Sequence, residues 1–202
     1  MTLWRGKHPL LLASQSRARQ TLLANAGIDF EAAPADIDER AIQQASGLSA
    51  PAAIAALLAR EKSLFVSARR PGRYVVGADQ TLALGMQLFS KPAGQAQAAE
   101  QLHALAGRHH ELYSAVAVAR DGRILFEEVA IARMTMRRLG EAEIDAYLDE
   151  AGSAVTSSVG AYQIEGLGVH LFERIEGDHF TILGLPLLPL LAFFRGEALL
   201  GL

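Results

Sequence analysis

Cysteine is missing from the 202-residue chain. That excludes a disulfide framework, thiolate catalysis and cysteine-built zinc sites, and it fits a reducing compartment. The six histidines show no HxxxH or HExxH spacing, so zinc is not expected. His109 and His110 are adjacent, and a strand would send them to opposite faces. Net charge is only −3, which leaves neither a basic nucleic-acid surface nor a polyanionic tail. Long apolar runs are short in supply as well. "MTLWRGKHPLLLAS" begins like a secretion signal, but its apolar stretch covers only Leu10 to Ala13. "ILGLPLLPLLAFF", from Ile182, carries two prolines and falls short of a membrane span. A cytoplasmic protein with neither membrane nor nucleic acid as partner is expected.

Half of the residues are apolar (50%), ample material for a core, and no linker, repeat or low-complexity tract interrupts residues 1–202. They read as one domain. Strand signals lie at 9–13, 74–78, 113–119 and 124–136, each rich in β-branched or large apolar residues. Asp121-Gly122 marks a hairpin turn, and Gly85 a smaller one. Helical periodicity fits 51–68, with Ser49 as its cap, Pro51 in the first turn, and Ile54, Leu57, Leu58, Leu64 and Phe65 as the buried stripe. Lys62 falls on the opposite face. Shorter helices fit 95–105, closed by Gly107, and 141–148, opened by Gly140. A buried helix starts near Pro186, and Phe180 and "LLPLLAFF" are expected to pack a second lobe. Strands alternating with helices early, and hairpins in the middle, predict an α/β fold with a mixed, partly antiparallel sheet and flanking helices.

Chemistry gathers at the joints. In "LLLASQSRARQTLL" a strand meets a helix expected from Thr21 onward, and Ser14, Ser16, Arg17 and Arg19 occupy the junction. Free N–H groups, hydroxyls and guanidiniums there suit a phosphate. The alternative is that a serine caps the helix while the arginines face solvent. In "VVGADQTLALG", Asp79 ends an apolar strand just past the small residues Gly77 and Ala78. It could act as a general base or metal ligand, or cap the next turn. Asp36, Asp38 and Glu39 in "ADIDER" could hold a hard cation or form a solvated loop. Lys62 and Lys91, the latter in "SKP", are not diagnostic alone.

In order along the chain, "LLASQSRARQTLL", "DIDER", "AREKS", "VVGADQTLAL", "SKP", "LAGRHHELYSAVAV", "GEAEIDAYL", "GAYQIEGLGVHLFERIEGD" and "ILGLPL" resemble the Maf family of nucleoside triphosphate pyrophosphatases, also described as septum-formation inhibitors. The resemblance runs from about residue 10 to 190. It implies a fold like that of inosine triphosphate pyrophosphatases, with two lobes around a central cleft, a divalent metal cofactor (Mg or Mn), and often a homodimer. The reaction would convert a nucleoside triphosphate and water to the monophosphate and pyrophosphate. By motif, Asp79 is the proton acceptor, or the group that positions a metal-bound water. Glu39, Lys62 and Lys91 fall on the family's charged active-site positions, with Glu39 and Asp79 as metal ligands. Ser14, Ser16 and Arg19 fall in its phosphate loop. Where the family usually has proline, this chain has Arg17, which either swings into the phosphate site or does nothing.

Ala18, Gln80 and Glu165 fall on positions the family associates with base choice. Gln80 and Glu165 match the branch acting on 7-methyl-GTP, whereas Ala18 matches neither that branch nor the one acting on dTTP and UTP. An ionised Glu165 only accepts hydrogen bonds, which suits guanine's adjacent N1–H and N2–H₂ donors. A guanine-type or modified purine substrate is therefore expected. The competing reading is a nucleotide-binding regulator of cell division with weak or no catalysis. The full set of acids and lysines favours the enzyme, and a third possibility, transfer to an acceptor other than water, lacks any recognisable acceptor motif. Tyr162 could stack on a base or merely pack.

Overall fold

Three leucines, Leu10–Leu12, form β1, and this short strand is buried on both faces. The computed structural model describes residues 3–201. After β1 come α1 (Arg17–Asn25), β2 (Phe30–Ala32), α2 (Glu39–Ser46), α3 (Pro51–Ser67), β3 (Val75–Leu84) and β4 (Gln87–Phe89). Then follow α4 (Gln95–Leu105), β5 (His109–Arg120), β6 (Arg123–Met136), α5 (Glu141–Ala151), β7 (Phe172–Glu176), α6 (His179–Ile182) and α7 (Leu187–Gly196). Three short 3₁₀ segments lie between α5 and β7. The strands hydrogen-bond in the order β2-β1-β3-β5-β6-β7, with β4 on β3. β1 runs parallel to β2 and β3, whereas β3–β4 and β6–β7 are antiparallel, so the sheet is mixed as expected.

The chain divides into two units, and the boundary falls inside β3, β5 and β6. The first unit comprises residues 1–80, 113–130 and 179–202. Side chains alternate across a strand, and both faces of this sheet are covered. Leu10, Leu12, Val76, Ala78, Val116 and Val118 pack with Leu22 and Leu23 of α1 and with Leu187, Leu190 and Phe194 of α7. Leu11, Ala13 and Val75 turn the other way, onto Val66 of α3. Ala55 and Ala59 of α3 meet Ala115 and Ala117. α3 therefore lies close on its face of the sheet, and Gly77 makes the approach possible. A Cβ at Gly77 would stand 2.1 Å from the Ala59 carbonyl oxygen.

The second unit comprises residues 81–112 and 131–178. The end of β3 turns back through Gly85, at φ 61°, into β4. α4 packs on α5. Beside them His110 and Tyr162, both buried, hydrogen-bond at 2.7 Å with the Phe172 ring against both. His109 is exposed, so the adjacent histidines do face opposite ways.

Several local expectations need correction. Pro51 pushes its predecessor into extended backbone, which makes Ala50 the cap of α3 in place of Ser49. The buried stripe of α3 is Ile54, Ala55, Leu58, Ala59, Lys62, Ser63 and Val66; Leu57, Leu64 and Phe65 are only half-buried. Lys62 thus lies on the buried face. β3 continues six residues past Ala78, which puts Asp79 inside the strand. α1 starts at Arg17 because Ser16 caps it. The 141–148 helix runs on to Ala151, β5 starts at His109, and β2, α2, β7 and α6 were not anticipated. α7 and Phe180 pack the unit that holds the N-terminal strands, not a second lobe. The hairpin at Asp121 and Gly122 forms as read, with both residues at positive φ.

Two measurements follow. Gly77→Ala should lower stability by about 2 kcal/mol or more, seen as a lower denaturation midpoint, because the helix backbone must shift. Burial, with a smaller contribution from His109, pulls His110 down to about 4 from its ordinary 6.5. Between those values the unfolded chain binds the proton and the folded one does not, so His110 contributes stability above pH 6.5 that is lost as pH falls toward 4. The loss should reach about 3 kcal/mol. A His110→Gln variant should lack that acid limb in equilibrium denaturation.

Candidate active site

Strand parity distributes the functional groups of β3. Val75, Gly77 and Asp79 share the face that carries α3, while Ala78 and Gln80 share the other. On α3, Ala59 and Lys62 are three residues apart and so project together. With Ala59 seated over Gly77, Lys62 arrives at Asp79. Its Nζ lies 2.6 Å from Asp79 Oδ1 and 2.9 Å from Glu39 Oε1. Lys62 and Asp79 are each only 8% exposed, whereas Glu39, first residue of α2, is half exposed. Burial pushes the Asp79 carboxyl above its ordinary value, with the Lys62 and Arg19 cations pulling the other way.

Arg19 is held from three directions. Its Nε donates to the Gly184 carbonyl at 2.7 Å, and its Nη1 to Ser14 Oγ at 3.0 Å and to the Ala78 carbonyl at 2.9 Å. Desolvation draws its pKa down, opposed by Asp79 and Glu39, so the guanidinium stays a half-buried cation beside the acids. Ser14 Oγ accepts from Arg19 and from the Ser16 N–H at 3.3 Å. Its own proton has no acceptor among the described residues. Ser16 caps α1 by accepting from the Arg19 N–H. Arg17 is exposed and Ala18 half-buried in the first turn of α1, where backbone N–H groups lack helical partners.

Gln80 faces the opposite way. Its Nε2 donates to Ser114 Oγ at 2.8 Å and to the Thr181 and Ile182 carbonyls at 3.1 Å each. Carbonyl acceptors fix the amide orientation, and Oε1 lies near Gly184. Ser114, Thr181 and Gly184 were not identified from sequence. A lone hydroxyl among the apolar residues of "YSAVAVA" was the one signal for the first.

The "ADIDER" carboxylates disperse. Asp38 caps α2 by accepting from the Ala41 N–H at 2.9 Å, Asp36 is exposed, and Glu39 alone reaches the site. No group of three or more His, Cys, Asp or Glu residues is placed to hold a metal among the described residues. Lys91 and Glu165 belong to the second unit. Both are exposed, Lys91 just past β4 and Glu165 in the turn before the 3₁₀ segment Leu167–Leu171.

In this mixed α/β protein a buried lysine, two carboxylates and a clamped arginine gather beside β1 and β3. The family profile described as Maf-like protein matches residues 9–197, and the chain belongs to that family. A nucleoside triphosphate pyrophosphatase of Bradyrhizobium diazoefficiens is 71% identical over the full length of both chains. A 7-methyl-GTP pyrophosphatase of Mesorhizobium japonicum is 53% identical over 92% of this chain and 94% of its own. Among solved structures, a HAM1 protein from Coxiella burnetii aligns with a TM-score of 0.44 at 16% identity, over 65% of this chain and 74% of that one.

Lys62→Met should leave two acids without their shared cation and lower stability on the order of 3 kcal/mol in chemical denaturation. Adding Asp79→Asn should recover part of that loss. Equal stability of Lys62→Met and wild type would show that the ion pair does not hold the site.

Proposed function

We propose that this chain is a nucleoside triphosphate pyrophosphatase that hydrolyses its substrate to the monophosphate and pyrophosphate, with a preference for guanine-type bases and 7-methyl-GTP in particular. The observation that carries the proposal is the Lys62 ammonium shared by Asp79 and Glu39 beside the clamped Arg19. A full-length relative named nucleoside triphosphate pyrophosphatase supports the reaction, and the 53% identical 7-methyl-GTP pyrophosphatase supports the base preference.

Charge accounts for the parts. Lys62 and Arg19 are already balanced by Asp79 and Glu39, so an incoming triphosphate needs further positive charge. Arg17 and Lys91 are exposed cations that supply some of it. Asp79 and Glu39 fit a magnesium or manganese ion that arrives with the nucleotide. Lys62 draws one oxygen from each onto a single nitrogen, and such ions take one or two carboxylates plus phosphate oxygens, not an all-protein cage. When bound, the metal supplies Lewis-acid stabilisation of the phosphate charge. Ser14 donates its hydroxyl proton to a phosphate oxygen, and the open N–H groups of α1 assist.

Asp79 Oδ1 is taken by Lys62, which leaves Oδ2 either to accept the proton of the attacking water or, with a metal bound, to hold it beside that water. The water oxygen bonds to the α-phosphorus while the bond from that phosphorus to the α–β bridging oxygen breaks. The pyrophosphate departs with the electron pair, its charge met by Lys91 and Arg17. Glu165 takes guanine's N1–H and N2–H₂ donors and favours the positively charged ring of 7-methylguanine; Gln80 Oε1 is a second acceptor. Ala18 leaves space and no stacking surface. The enzyme is taken to act in the cytoplasm, where nucleoside triphosphates are made and used, and as a homodimer. No described helix is long and apolar enough to cross a membrane.

Pyrophosphate release with magnesium or manganese across canonical and modified triphosphates tests this reading. Asp79→Asn should lower kcat by about 10²–10⁴-fold. Glu165→Gln should shift selectivity toward UTP and dTTP by about tenfold or more. Wild-type preference for dTTP and UTP would overturn the guanine assignment. Binding without pyrophosphate release would instead favour the regulator of cell division.

A further inference from the structure

Gln101 lies on the buried face of α4 and is 6% exposed. Both ends of its amide are occupied, and by different parts of the chain. Its Nε2 donates to the Ser90 carbonyl at 2.8 Å, and its Oε1 accepts from the Gly160 N–H at 3.1 Å. Ser90 immediately precedes Lys91. Gly160 opens "GAYQIEGLG", which carries Glu165. One buried amide therefore joins the two segments of the second unit that bear its site residues.

The Gly160 end is a constrained pivot. Gly160 and Ala161 both adopt left-handed backbone, at φ 78° and 62°, which for alanine is strained. A Cβ on Gly160 would come within 2.6 Å of Leu82 Cδ1 and 2.7 Å of the Tyr162 ring. Three successive residues are anchored to three elements. Gly160 N–H is held by Gln101 of α4, the Ala161 carbonyl by Tyr147 Oη of α5 at 3.1 Å, and Tyr162 Oη by His110 of β5. Strained backbone persists where its surroundings over-determine it, and such places cluster at functional sites. Beyond this pivot the chain emerges to the exposed Glu165.

We infer that Gln101 is a positioning residue for the reaction proposed above, holding the Lys91 and Glu165 segments in one fixed arrangement so that polyphosphate grip and base choice are set together. The inference rests on the pyrophosphatase reading and adds a residue that touches neither substrate nor metal. Loss of the amide frees both segments, and displacements of about 1 Å at a site can cost up to about 10²-fold.

The test compares Gln101→Leu, the near-isosteric Gln101→Glu, Lys91→Gln and Glu165→Gln, singly and as pairs with Gln101→Leu, below the thermal midpoint of each. Both Gln101 variants should raise KM about tenfold with kcat much less affected, and should shrink the preference for guanine over uracil triphosphates. In the Lys91→Gln background, Gln101→Leu should raise KM by less than its tenfold effect in wild type, because the polyphosphate part of its effect acts through that lysine, and in the Glu165→Gln background it should no longer change base preference. A lowered midpoint with unchanged KM and base preference, or full additivity with Lys91→Gln, would overturn the positioning role. If Lys91→Gln and Glu165→Gln themselves change nothing, the pyrophosphatase assignment of those residues falls instead. Should Gln101→Leu fail to fold, Gln101→Glu alone decides between these outcomes.

Discussion

A lysine ammonium taken out of water must find an anion, and the first unit is organised around that requirement. Lys62 is buried because α3 lies on the sheet through alanines and serine, without bulky side chains to hold it away. The bare backbone at Gly77 admits the helix, and Asp79, two residues on, receives the charge. Glu39 reaches the same nitrogen from the first turn of α2. Each of these facts depends on the others. Remove the close approach at Gly77 and the ammonium no longer reaches the carboxylate; remove the carboxylate and a desolvated cation is left uncompensated.

The two-residue repeat of β3 separates functions that are adjacent in sequence. Asp79 points to the α3 side, where the ion pair forms. Gln80 points to the other, where Ser114 and the carbonyls of Thr181 and Ile182 fix its amide. Arg19 ties these surroundings together by bonding the carbonyls of Ala78 and Gly184 and the hydroxyl of Ser14. With most of its donors engaged inside the protein, it braces the site and leaves Arg17 as the more available guanidinium. Where the family usually has proline, this chain has an exposed cation at a helix start, whose repulsion from the dipole a bound anion would offset.

The mixed sheet, the Asp121-Gly122 hairpin, the helix opened at Pro51 and the two adjacent histidines were all legible, because periodicity and turn chemistry are local. Asp79, Lys62 and Glu39 were legible as motif positions. Their geometry was not. Helical spacing assigned Lys62 to the solvent face, since its neighbours Ala55, Ala59 and Ser63 are too small to register as an apolar stripe. "ADIDER" looked like one acidic cluster, yet a single helix start gives Asp38 to capping and Glu39 to the site. Gln101 and Ser114 carried almost no signal, because a polar residue held by distant carbonyls looks like any other glutamine or serine until those carbonyls are in place.

By itself the sequence determined the strands and helices whose patterns repeat, and the family. Only the tertiary structure decided that Lys62 is buried, that Asp79 lies within a strand, that Arg19 braces the site and that Ser114 and two carbonyls hold the Gln80 amide. The reason is that periodicity is written in neighbouring residues, while desolvation and hydrogen-bond satisfaction depend on partners brought in from far along the chain.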